Sequence, residues 1–190
     1  MGWLLPVWRW QIKVTFRAHL DDVGKPLLLV DIDGVISLFG FDTARPPRGR
    51  FIAVEGIVHF LSEAAGDHLR RLAGAFELAW CSGWEEKAGE HLPAVLGPVA
   101  RLPHVRFDGG AQPGAHWKLA AVETFAGPSR PLAWIDDAHD ERTAAWAAAR
   151  PGPTLLVSTK PAVGLTSEHV RDLLKWAARA EGATGPIDAG

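Results

Sequence analysis

Leu27-Leu28-Leu29-Val30-Asp31-Ile32-Asp33-Gly34-Val35 decides the fold. Four apolar residues in succession read as a strand buried on both faces, the kind found in parallel sheets. The run ends in two carboxylates spaced i, i+2, then a glycine. Residues two apart on a strand point the same way, so Asp31 and Asp33 converge on one small site while Gly34 lets the backbone turn beside them. An ordinary Asp-Gly turn is the rival reading, and residues far along the chain decide between the two.

Downstream, residues 76–81, 105–107, 131–136 and 154–158 read as further short apolar strands. Residues 62–73, 85–96, 115–125, 138–149 and 166–180 read as helices, with Gly74 and Gly97-Pro98 as stops and Thr166 as an N-cap. Between the first strand and the first helix, residues 37–50 read as a loop or short hairpin. Two apolar pieces follow, 51–54 and 57–60, joined by the turn pair Glu55-Gly56. Strands alternating with helices imply an α/β fold: a three-layer Rossmann-like sandwich around a mostly parallel five-stranded sheet, with a small flap after the first strand. Residues 27–181 form this domain. Residues 1–26 are an N-terminal extension in which Trp10, Ile12, Val14 and Phe16 alternate with polar residues as an added edge strand, and residues 182–190 are a loose tail.

A chain of 190 residues, 47% hydrophobic, builds one substantial core rather than two. Its net charge of −2 gives no global pull toward nucleic acid or an anionic membrane. The single cysteine, Cys81, forms no internal disulfide, and the apolar stretch at residues 1–10 is broken by Pro6 and Arg9, so the expectation is a cytoplasmic protein without membrane association. No Cys/His spacing suggests zinc.

In open parallel sheets ligands bind beyond the carboxyl ends of the strands. Asp31 and Asp33 end the first strand, Ser82-Gly83-Trp84 follows the second, Lys118 starts the helix after the third, and Asp136-Asp137 ends the fourth. Each has a structural alternative: Ser82 as a helix cap, Lys118 as a solvated charge, Asp136-Asp137 as an acidic pair favouring a helix start. Asp140 and Glu141 read as helix-start residues, and His116 and His139 as polar packing. Trp84 and Trp117 flank the motif residues, either as walls of the site entrance or as core.

This ordered set resembles the four motifs of the haloacid dehalogenase (HAD) superfamily of phosphohydrolases, across residues 27 to about 160. Within it, Trp80-Cys-Ser-Gly-Trp84, His116-Trp117-Lys118 and Leu132-Ala-Trp134-Ile-Asp-Asp137 are similar to a HAD-type domain group associated with bacterial RNA-repair proteins. The resemblance implies that Asp31 is a nucleophile forming an aspartyl-phosphate, and that Asp33 protonates the leaving group and then activates water. It also implies Mg²⁺ held by Asp31, the Asp33 backbone carbonyl and Asp136 or Asp137, with Ser82, Gly83 and Lys118 on the phosphate. The chemistry agrees, because in-line attack on an anionic ester needs a cation and fixed positive charge.

Residues 34–62 and 84–118 leave no room for a large cap domain. An open site suits a bulky substrate such as a phosphorylated RNA end or nucleotide. The alternatives are a small-metabolite phosphatase with an oligomer-supplied lid and a catalytically silent binding module. A receiver domain, which also uses acidic, hydroxyl and lysine groups, places its acidic pair on the first strand and its lysine late, so the motif order argues against it.

Overall fold

The computed structural model describes residues 24–109 and 114–183. The strand β1 (Leu27–Val30) leads into a turn and then a small antiparallel sheet of β2 (Ser37–Leu38), β3 (Gly49–Val54) and β4 (Ile57–Ser62). After it come α1 (Ala65–Ala73), β5 (Glu77–Trp80), α2 (Glu86–His91), α3 (Pro93–Leu96), α4 (Leu119–Ala126), β6 (Leu132–Asp136), α5 (Glu141–Ala149), β7 (Thr154–Ser158) and α6 (Ser167–Ala183). The four strands β5-β1-β6-β7 form a parallel sheet in that order, with β1 between β5 and β6. β1 therefore has neighbours on both edges, as its apolar sequence requires.

Both faces of β1 are covered. Leu28 and Val30 pack with Leu69 and Leu72 of α1 and Val170 and Leu173 of α6, whereas Leu27 and Leu29 pack with Val122 of α4 and Trp134. All four β1 side chains are fully buried, each leucine contributing about 1.5–3 kcal/mol relative to exposure. The α/β architecture is as the alternation implied. Among the described residues the expected five parallel strands are four: residues 105–107 form no strand, and only His104 bridges to Trp80. Trp80 N–H donates to Pro103 O and Val105 N–H to Trp80 O, after which Phe107 N–H turns to Glu85 Oε1 and the ladder ends.

The expected helix at 85–96 is two, α2 and α3, because Pro93 lacks the N–H that continuing the first would use. The first helix starts at Ala65, since Ser62 still belongs to β4. The expected helix at 115–125 opens with a 3₁₀ turn, His116–Lys118. The one expected from 138 starts at Glu141 because Asp140 caps it, accepting from Thr143 N–H. Thr166 caps α6 as expected, its Oγ1 accepting from His169 N–H, and the helix runs on to Ala183. Residues 37–50 are less irregular than expected, supplying β2 and the start of β3.

The hairpin turn follows its sequence closely. Glu55 and Gly56 both have positive φ (50° and 83°) between the paired residues Val54 and Ile57, the geometry of a type I′ turn. Residues 37–62 hold this antiparallel sheet and nothing larger. The edge strand expected at residues 10–17 lies outside the described residues, as does the tail beyond 183. Among the described residues no helix is long and apolar enough to cross a membrane.

Candidate functional site

The sheet delivers Asp31 and Asp136 side by side, because β1 and β6 are adjacent and in register, Val30 opposite Ile135. Both carboxylates are buried, and Lys118 is buried between them. Its Nζ lies 3.1 Å from Asp31 Oδ2, 2.7 Å from Asp136 Oδ2 and 3.0 Å from Cys81 O. One ammonium thus spends its three N–H donors on two strand ends and the loop after β5. Asp136 Oδ1 accepts from Ala138 N–H at 3.0 Å. Asp137 completes an acidic trio, in which Asp31, Asp136 and Asp137 each offer an oxygen within 4.8 Å of the others.

Three carboxylates around one lysine leave an excess of negative charge in a dry place. Burial drives the Asp31 carboxyl up to about 7, against the pull of Lys118 and with the help of Asp136. Burial and Asp136 likewise raise Asp137. Burial opposes the charge on Lys118, but Asp31 and Asp136 outweigh it and hold the ammonium above its ordinary pKa. The donor set is all oxygen and hard, and a divalent cation would relieve the repulsion, so these residues fit Mg²⁺.

These groups line a cavity of about 410 Å³ bounded by Asp31, Asp33, Ser82, Trp117, Lys118 and Asp136, with Val54, Glu55, Ile57 and His59 of the hairpin on one side. Gly83 and Trp84 also line it. The Ser82 side chain makes no hydrogen bond among the described residues and does not cap α2, so its hydroxyl is available to a ligand. Lys118 is not a solvated charge, and Asp136 is not a helix-start residue. Asp140 does that work, with His116 Nδ1 2.7 Å from its Oδ2. His139 Nε2 bonds Trp134 O, and neither histidine lines the cavity.

Asp33 behaves differently from Asp31. Its side chain is 49% exposed and stands outside the acidic trio, Oδ2 accepting from Trp84 Nε1–H at 2.9 Å and Oδ1 lying 3.4 Å from His59 Nδ1. Trp84 is buried and presents its N–H edge, whereas Trp117 is half-buried, tilted against Phe107 at 4.6 Å with Lys118 Nζ 5.7 Å from its ring. Sequence reasoning missed His59, Glu55 and Lys87. A signal for His59 was present, a polar residue within the apolar run Ile57-Val58-His59-Phe60-Leu61. Glu55 and Lys87 carried none, since their 2.5 Å ion pair joins the hairpin turn to α2 across 32 residues.

Gly34 holds the turn together. Its φ is +73°, a Cβ there would collide with the Asp137 carboxylate, and its carbonyl accepts from Thr159 Oγ1 at 2.8 Å. Gly34→Ala is expected to cost about 1–3 kcal/mol and to push Asp137 away from Asp31 and Asp136. A lower melting temperature, read by calorimetry, checks it. No protein-family model matches this chain, and no curated protein matches it.

Proposed function

We propose that this chain is a Mg²⁺-dependent phosphatase of the capless HAD type, built on a Rossmann-like three-layer core and acting through an aspartyl-phosphate on Asp31. The observation that carries the reading is the meeting of Asp31, Lys118 and Asp136 at the floor of a cavity with Asp33 at its rim. Asp31 attacks phosphorus as the bond to the leaving oxygen breaks, and Asp33 gives that oxygen a proton. Water then attacks the aspartyl-phosphate, Asp33 takes a proton from it, and Asp31 is released with inorganic phosphate. Lys118 and the Ser82 hydroxyl hold the phosphoryl oxygens. Mg²⁺, held by Asp31, Asp136, Asp137 and the Asp33 backbone carbonyl, supplies charge neutralisation when bound.

Among the described residues no cap domain covers the cavity, which supports a bulky substrate, a phosphorylated RNA end or a nucleotide, in a reducing cytoplasm where the buried thiol of Cys81 stays free. Phosphate release from p-nitrophenyl phosphate, and from 5′- and 3′-phosphorylated oligonucleotides beside nucleotides and sugar phosphates, tests both levels. Activity with Mg²⁺ that disappears on chelation is the expected result. Inactivity on every phosphate ester would leave the silent binding module. Activity on sugar phosphates alone would replace the macromolecular substrate with a small one.

A further inference from the structure

A half-exposed aspartate on a surface turn normally samples several rotamers, which is a poor property in a group that must deliver a proton to one atom. Asp33 has a side-chain neighbour at each oxygen. Trp84 is only 7% exposed, so its indole N–H is anchored in the core and reaches Oδ2 from the loop after β5. His59, on β4, approaches Oδ1 from the hairpin. Ser37 Oγ, on β2, lies 3.2 Å from the same His59 nitrogen, and the imidazole packs against the Trp84 ring at 4.5 Å and 65°. Two separate elements thus converge on Asp33, which stands outside the acidic trio.

We infer that Trp84 and His59 are positioning residues for Asp33. The inference rests on the acid/base role proposed above for Asp33. An indole N–H only donates, so Oδ2 accepts from Trp84 whether Asp33 is protonated or ionised, and the contact holds through both steps. In the first step the Asp33 carboxyl O–H bond breaks as the leaving oxygen gains the proton. In the second, the attacking water gives its proton back to the Asp33 carboxylate. The hairpin, through His59, then belongs to the proton-transfer machinery as well as to the cavity wall.

The test is the dependence of kcat/KM on leaving group, from 2,4-dinitrophenyl phosphate through p-nitrophenyl and phenyl to alkyl phosphates, with Asp33→Asn as the reference. A good leaving group needs no acid, so misplacing Asp33 penalises only the poor ones. Trp84→Phe keeps the ring and removes the donor. It is expected to lose about 10–100-fold on alkyl phosphates and less than about threefold on the dinitrophenyl ester. His59→Leu is expected to show the same tilt more weakly, with His59→Gln recovering most of the loss. If both variants lose activity equally across the series while Asp33→Asn shows the tilt, the positioning role is overturned and the phosphatase reading stands. If the wild type releases no phosphate, or Asp31→Asn releases it unchanged, the phosphatase reading itself fails. Thermal melts confirm folding, and should Trp84→Phe not fold, the His59 pair decides alone.

Discussion

Asp31→Asn is expected to lower Mg²⁺-dependent phosphate release by about a thousandfold or more while leaving the protein folded. Asparagine has the size of aspartate but no anionic oxygen to attack phosphorus. The fold survives for a reason visible in the site: Asp31 is one of three carboxylates near one lysine, and burial already drives its carboxyl up to about 7. Removing that charge lessens the repulsion with Asp136, and Lys118 keeps its 2.7 Å bond to Asp136. The variant is therefore expected to melt at or above the wild-type temperature without metal, and, with Mg²⁺ bound as proposed, to gain much less from the ion than the wild type does. Phosphate release and paired melts with and without Mg²⁺ check this. A loss below about tenfold would place the nucleophile elsewhere.

The part of this site legible in the sequence was the part carried by strand ends. Asp31, Asp136 and the loop bearing Ser82 follow buried apolar runs, and the rule that ligands sit at the carboxyl ends of parallel strands groups them without knowledge of register. The apolar runs of β1, β5 and β6 were legible from their burial, whereas β7, at the end of the sheet and only half-buried, was legible from its apolar run Leu155-Leu156-Val157. Residues 105–107 look like a strand because Val105 and Phe107 are apolar. Their backbone N–H groups, however, bond Trp80 and a Glu85 side chain rather than a ladder, a choice that composition does not encode. The grip on Asp33 was also hidden. It joins residues 26 and 51 positions away through a tryptophan that reads as a site wall or as core and a histidine without ligand spacing.

Lys118 gives the second large effect, this time on stability. Lys118→Met fills much of the same space but leaves Asp31 and Asp136 buried without a counter-charge, which is expected to cost about 3–5 kcal/mol, or roughly 6–20 °C in melting temperature for a domain of this size. Lys118→Arg is expected to restore little, because three acceptors at 2.7–3.1 Å surround a single nitrogen and a planar guanidinium cannot take that place. The deficit has a pH signature. Asp31 titrates at about 7 in the folded chain against an ordinary 3.8, so the folded state holds the proton more tightly and stability falls as pH rises through that window. Losing Lys118 raises the folded value further, so the Lys118→Met deficit grows from pH 5 to pH 8. An unpaired charge, rather than a packing defect, also predicts rescue: Lys118→Met with Asp136→Asn should be more stable than Lys118→Met alone. Denaturation at several pH values on the single and double variants decides between the two causes. A deficit that is flat with pH and unrelieved in the double variant would assign the cost to packing and remove Lys118 as the counter-charge of the site.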